Sequence, residues 1–259
     1  KCYGLKHLGA ISPGFQADFV VLDNLQDLNV TDVFYKGKLV DRNAPIRVKT
    51  CGRALKHTVH LDKVKAEQFV LPIGKKKTHV IGINPSQITT EDLAVSLQPA
   101  ANYVPTDGYS KVAAVERHHN TGKIGVAVAK GYGIRNGAVA SSVSHDSHNI
   151  IVIGDNDRDM ALAVDEIIRT QGGYTVVENG EVFETLPLPI MGLMSDAGFE
   201  SVNETLGRMI KKAHEMGVPA DIEPFITLSF LALPVIPTLR ITPRGLCLLT
   251  AKGPEILQE

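Results

Sequence analysis

The sequence predicts an α+β protein: a short β-sandwich remnant followed by a mixed-sheet C-terminal domain with two main helices. Apolar, strand-like segments follow one another in runs, and only two stretches carry amphipathic helical spacing. The regular strand–helix–strand alternation of a parallel sheet is missing. At 259 residues and 44% hydrophobic, the chain is long enough to bury a core of its own.

Residues 1–50 read as part of a small β domain. Pro13-Gly14 is a turn signal, and Ala17–Asp23 reads as a short buried strand. Asp32–Asp41 alternates around Lys36-Gly37-Lys38, the pattern of a hairpin or a bulged pair. Three short strands do not make a stable sheet alone, so this piece is expected to pack on something else. Residues 51–70 read as a connector with a short helix around Leu61–Phe69 and a soft boundary near residue 65. The C-terminal domain, 71–259, has strand candidates at Thr78–Ile83, Lys111–Val115, Lys123–Ala129, Gly137–Ser144 and Asn149–Gly154, the last the strongest in the chain. Asp157–Thr170 places Met160, Ala161, Val164, Ile167 and Ile168 at helical spacing, with Asp155, Asn156 or Asp157 as the N-cap. Gly173–Leu186 is a hairpin turning at Asn179-Gly180. Ser201–Met216 is the second helix, closed by Gly217 and Pro219, and Thr227–Val235 and Thr238–Thr242 read as two final strands.

The 27 basic residues nearly balance 28 acidic ones, which gives no footprint for nucleic acid and no basic face for a membrane surface. Cys2, Cys51 and Cys247 are too few and too scattered for a disulfide framework. No apolar run approaches the length of a membrane span, and no signal peptide opens the chain, so a soluble cytoplasmic protein is expected. The missing initiator Met leads to the expectation of a piece of a longer chain.

The densest polar cluster is Ser144-His145-Asp146-Ser147-His148-Asn149, immediately before the strongest strand. Two imidazoles and a carboxylate within four residues read either as metal ligands, an acid/base pair or a clamp on a polar ring, or as a solvated turn. Asp155–Asp159, at the other end of the same strand, is read as a helix cap in preference to a cation site. Glu116–Asn120 reads as a hairpin tip, because adjacent histidines on a strand face opposite ways. Gly131–Gly137 opens a strand where a phosphate loop would open a helix, and Lys75-Lys76-Lys77 reads as a solvated stretch. Met191–Asp196, after Leu186-Pro187-Leu188-Pro189, reads as a close-packed loop that walls a pocket or fills a core. Phe230–Pro237 has the same ambiguity, with Ser229 the polar group facing inward.

Taken together, Tyr3–Leu22, Ser144–Gly154 (SHDSHNIIVIG), Asn156–Met160 (NDRDM), Leu186–Ser195 (LPLPIMGLMS) and Ser229–Pro237 (SFLALPVIP) resemble the C-terminal part of bacterial adenine deaminases, a branch of the amidohydrolase superfamily. The resemblance implies a whole enzyme that hydrolyses adenine to hypoxanthine and ammonia with a divalent metal, manganese, iron or zinc, in the service of purine salvage or adenine catabolism. It also implies a homodimer and a metal-bearing N-terminal barrel of about 300 residues before this chain. The superfamily's ligands (a His-x-His, an acidic or modified-lysine bridge, two further His and a final Asp) find no match here, so no metal is expected on this chain and the chain alone is expected to be inactive. His145, Asp146 and His148 are then expected to contact the purine or shuttle a proton at the barrel mouth, with Asn149, Ser195 and Asp196 as weaker substrate contacts. A non-catalytic purine-binding or subunit-assembly module is the alternative. An independent metal hydrolase on His145, Asp146, His148 and Asp155 would have to bridge both ends of one strand, roughly 20 Å.

Overall fold

The computed structural model describes residues 3–44, 52–74, 77–106 and 108–257. Cys2, Cys51, Lys75 and Lys76 lie outside the described residues. The chain divides into two compact units, Lys1–Thr50 and Cys51–Glu259.

The first unit is a three-stranded antiparallel meander of β1 (Phe19–Leu22), β2 (Val30–Tyr35) and β3 (Lys38–Leu39). Phe19 faces Phe34 across the β1–β2 pair, and their rings stack at 4.7 Å. Lys36 and Gly37 both take positive φ, 52° and 75°, which gives the two-residue turn the twist its strands require. The Asp18 carboxylate fixes that turn by accepting the Lys36 N–H at 2.7 Å. β1 is not the buried strand expected: Val20 and Val21 are 51% and 39% exposed, since so small a sheet covers little of its own surface.

The second unit is built on an eight-stranded sheet in the order β11-β10-β8-β9-β6-β7-β4-β5. Its strands are β4 (Thr78–Ile83), β5 (Thr90–Val95), β6 (Tyr109–Val115), β7 (Ile124–Lys130), β8 (Gly137–Ser141), β9 (Ile150–Gly154), β10 (Gly173–Glu178) and β11 (Glu181–Pro187). All neighbours are antiparallel except β4 and β7. The two-residue period of the central strands separates two cores. Ile150 and Val152 of β9, with Ala113 and Val115 of β6, pack with Met160, Val164 and Ile167 of helix α1 (Asp157–Thr170). Ile151 and Ile153, with Val112 and Ala114, join Met209 and Ala213 of α2 (Phe199–Glu215) and Phe225 and Leu228 of α3 (Pro224–Leu231).

A second small sheet, β12 (Leu239–Thr242), β13 (Gly245–Thr250) and β14 (Gly253–Ile256), joins the α2/α3 side through Leu239, Ile241 and Leu246. It sits so close to β7 that a Cβ on Gly125 would fall 2.0 Å from the Thr242 carbonyl oxygen, so only glycine fits there. Within the expected connector, 51–70, the residues Val59, Val64 and Phe69 are built into the unit and complete the α1 core. The expected helix over Leu61–Phe69 is a single 3-10 turn, Ala66–Phe69.

The expected strand Thr227–Val235 is corrected: the segment is largely the helix α3, which makes three helices where two were predicted. Glu223 caps α3 with its side chain on the Ile226 N–H, and Pro224 occupies the first turn. Phe225, Leu228, Ser229 and Leu231 are buried and the helix is apolar on nearly every side, so it shows none of the 3.6-residue striping that marks a surface helix. The edge strand β5 and the pair β13–β14 also went unread, β5 because Glu91-Asp92 looks like loop. Among the described residues no helix is long and apolar enough to cross a membrane.

Candidate functional site

The antiparallel pair β6–β9 positions both polar clusters. The loop 144–149 lies beside the end of β6 at Val115, and Asp155–Asp159 lies beside its start at Lys111. Lys111, Ala113, Val115 and Arg117 share one parity, so both cations turn into the α1 side of the sheet. Lys111 and Arg117 are each 1% exposed.

At the first end the chain closes tightly, with the His148 N–H donating to the Ser144 carbonyl at 2.6 Å. His148 has a left-handed φ of 49°. The His145 N–H donates to the Ser229 carbonyl of α3 at 3.0 Å, and the His145 ring stacks on Phe230 at 5.3 Å. Helix α3, invisible as a helix in the sequence, is therefore the floor of this loop. It is held from below by the buried Arg240, whose guanidinium donates to the carbonyls of Phe230 at 3.0 Å, Ile236 at 2.9 Å and Ile88 at 2.7 Å.

His145 Nδ1 and Asp146 Oδ1 are 3.1 Å apart, with the two side chains 45% and 81% exposed. The His145 and His148 rings lie 6.0 Å apart. His148 is half-buried, and burial, with the neighbouring His145 and Arg117, holds its imidazole below the usual range, which favours the neutral ring. Its Nδ1 and the Ser144 hydroxyl are buried without a hydrogen-bond partner among the described residues.

Asn149 is turned inward and 7% exposed, with its side-chain oxygen accepting the Arg117 N–H at 3.2 Å. It also lines a cavity of about 100 Å3 with Ser147, Ala114, Ala232, Pro234 and Ile241. Ser195 and Asp196 stand on the loop after β11 and are held locally. Ser195 Oγ accepts the Ala197 N–H at 3.1 Å, and Asp196 pairs with Lys56 at 2.5 Å, which holds its carboxyl below the usual range. Met191, earlier on the same loop, is bonded by Arg117.

The Arg117 side chain is the residue sequence reasoning passed over. It donates to the His148 carbonyl, to the Thr58 carbonyl at 3.1 Å and to the Met191 carbonyl at 2.9 Å. The guanidinium lies directly over Gly192: a Cβ there would fall 2.7 Å from Nη1. The signal that could have found Arg117 is its parity, since it continues the inward series of Ala113 and Val115 past the end of the strand. Glu116 beside it organises the hairpin tip instead, accepting the N–H groups of His118 at 2.6 Å, His119 at 3.0 Å and Thr121 at 3.1 Å.

At the other end of β9 each acidic group has structural partners. Asn156, the cap, accepts the Asp159 N–H at 2.9 Å, and Asp155 accepts the Gly137 N–H at 3.0 Å. Asp157 takes Lys111 at 2.6 Å and Asn102 at 2.7 Å. Among the described residues no group of three or more His, Cys, Asp or Glu could hold a metal ion.

A family model described as "Adenine deaminase C-terminal domain" matches residues 87–252. Proteins named adenine deaminase from Desulfitobacterium hafniense (strain Y51) and Nitratidesulfovibrio vulgaris (strain DP4) are 50% and 45% identical, each over 95% of this chain. One from Clostridium acetobutylicum is 40% identical over the same share. The chain spans only 43–44% of the length of these curated relatives. Of the segments that carried the resemblance in the sequence, Ser144–Gly154, Asn156–Met160, Leu186–Ser195 and Ser229–Pro237 lie inside the matched region and Tyr3–Leu22 lies before it; the chain belongs to the adenine deaminase C-terminal domain family.

Proposed function

We propose that this chain is the C-terminal part of an enzyme that hydrolyses adenine with water to hypoxanthine and ammonia, and that loop 144–149 is its contribution to that reaction. The family and the names of the relatives support the substrate. The observation that carries the loop's role is its unfinished hydrogen bonding: Ser144 Oγ and His148 Nδ1 are buried and unpartnered beside the half-exposed His145–Asp146 couple. Buried polar atoms are ordinarily paired, so two unpaired ones mark this loop as a place where a bound ligand would complete the hydrogen bonding.

In this reading His148, neutral near pH 7, accepts or relays a proton, and His145, oriented by Asp146, contacts the purine or passes a proton to the departing amine. Asn149, Ser195 and Asp196 are read as weaker substrate contacts. The whole enzyme is read as a metal-dependent cytoplasmic homodimer serving purine salvage or adenine catabolism. In this reading the manganese, iron or zinc is held by the part of the enzyme outside this chain, and no step is derived through it. The second reading is a module that binds purine or assembles subunits without turning substrate over.

The test uses the full-length enzyme with His145→Ala and His148→Ala, measuring turnover and metal content. A loss of turnover of about 100-fold or more at unchanged metal content is expected for a proton-transfer residue. Wild-type turnover in both variants would reduce the loop to a structural turn. Loss of metal would make the histidines ligands.

A further inference from the structure

We propose that Arg117 is the positioning residue of this site: its guanidinium locks the backbone of His148 to that of Met191 and Thr58, so that three distant segments hold the His148 ring as one block. The inference rests on the reading above that His148 serves the reaction.

A guanidinium 1% exposed ordinarily has a carboxylate beside it, because an uncompensated buried cation is costly. Here the donors go to the His148 carbonyl, to Thr58 through both its carbonyl at 3.1 Å and its hydroxyl at 3.3 Å, and to the Met191 carbonyl at 2.9 Å. The fork thus ties together residues 31, 59 and 74 positions apart in the chain. Each tie is reinforced by a second bond: the Arg117 N–H goes to Asn149, the Arg117 carbonyl takes the His60 N–H at 2.7 Å, and the Met191 N–H goes to the Leu55 carbonyl at 2.6 Å. Gly192, at a left-handed φ of 71°, leaves room for the guanidinium, and the Ser142 hydroxyl holds its carbonyl at 2.6 Å. The Met191-Gly192 turn of the loop after β11 is therefore shaped to accept Arg117.

The charge of Arg117 acts in the same direction as the geometry. Burial is the largest cause that opposes protonation of the His148 ring; among the charged groups around it His145, Arg117 and His118 oppose protonation as well, and Asp146 favours it. Burial of the guanidinium itself lowers the Arg117 pKa only to about 10, so it stays charged at neutral pH. A carboxylate partner would have cancelled that charge and removed its share of the shift, leaving burial and His145 to hold the imidazole low. Carbonyls satisfy the donors and leave the positive charge in place.

The experiment uses full-length enzyme carrying Arg117→Met and Arg117→Lys, with His148→Ala alongside. Two quantities are read: kcat and KM for adenine, and the pH midpoint at which His148 becomes reactive to diethyl pyrocarbonate, followed on its peptide by mass spectrometry. In Arg117→Met the His148 midpoint rises toward about 6.5, and kcat falls about 100-fold while KM changes far less. Arg117→Lys keeps a charge without the fork, so the midpoint stays low but kcat still falls. A folded Arg117→Met with an unmoved His148 midpoint overturns the proposal, even if activity drops, since the residue would then be merely structural. If Arg117→Met does not fold, wild-type kcat in Arg117→Lys overturns it as well. Wild-type turnover in His148→Ala defeats the functional reading instead, and a shifted midpoint in Arg117→Met would still uphold the hold of Arg117 on the ring.

Discussion

The two ends of strands β6 and β9 carry the same ingredients and use them differently. At the Lys111 end, a buried cation meets a carboxylate and an amide: Nζ donates to Asp157 at 2.6 Å, to Asn102 at 2.6 Å and to the Phe69 carbonyl at 3.0 Å, which satisfies all three protons. The acidic run Asp155–Asp159 is likewise taken up by the start of α1. At the Arg117 end the buried cation has only carbonyls and a hydroxyl, and the loop above it leaves a hydroxyl and a ring nitrogen unpaired. Ser110 Oγ, beside Lys111, is also buried without a partner among the described residues, so unpaired hydroxyls occur at both ends. The partner of the buried cation tells the ends apart: a carboxylate for Lys111, only carbonyls and a hydroxyl for Arg117.

The comparison is broken most forcefully by Lys111→Met, which leaves Asp157 facing an apolar side chain. Stability should fall by about 3 kcal/mol or more in urea or thermal unfolding of the full-length enzyme. The adenine turnover of the fraction that remains folded should be that of wild type; a folded variant without turnover would erase the distinction between the ends. Asn156→Ala removes the α1 cap and should lower stability by about 1 kcal/mol, again without a kinetic effect.

Acid sharpens the contrast from the other side. Because the native pKa of His148 lies below that of an ordinary imidazole, about 6.5, the unfolded chain binds the proton first as pH falls. The stability that comes from keeping this ring neutral is complete above that value and is lost as pH drops toward the native pKa. His148→Gln should flatten the melting temperature against pH between 7 and 5, and an unchanged slope would mean that His148 titrates normally. The smallest stability effect is expected for His145→Ala, within about 0.5 kcal/mol because the ring is half-exposed; its consequence should appear in turnover alone.

Much of the fold was legible because its signals are local. Asn149–Gly154 is apolar enough to be a central strand on composition alone, Asn179-Gly180 specifies its own turn, and α1 announces itself by Asn156 and a clean apolar stripe. Helix α3 was not legible from periodicity, because its exposed as well as its buried faces are apolar and leave no stripe; the readable mark was Glu223-Pro224 at its start. The loop 144–149 was visible as a density of polar residues. Its anchor was not, since Arg117 looked like one charge among several at a hairpin tip.

By itself the sequence determined the local pieces and the family, because strand period, capping residues and turn glycines act over a few neighbours. Only the tertiary structure decided which polar residues remain available, because that depends on what lies opposite each one. Asp157 is used up by a lysine 46 positions away, and the His148 carbonyl is held by an arginine 31 positions away, pairings set by the register of β6 against β9 and by the chain that packs over both.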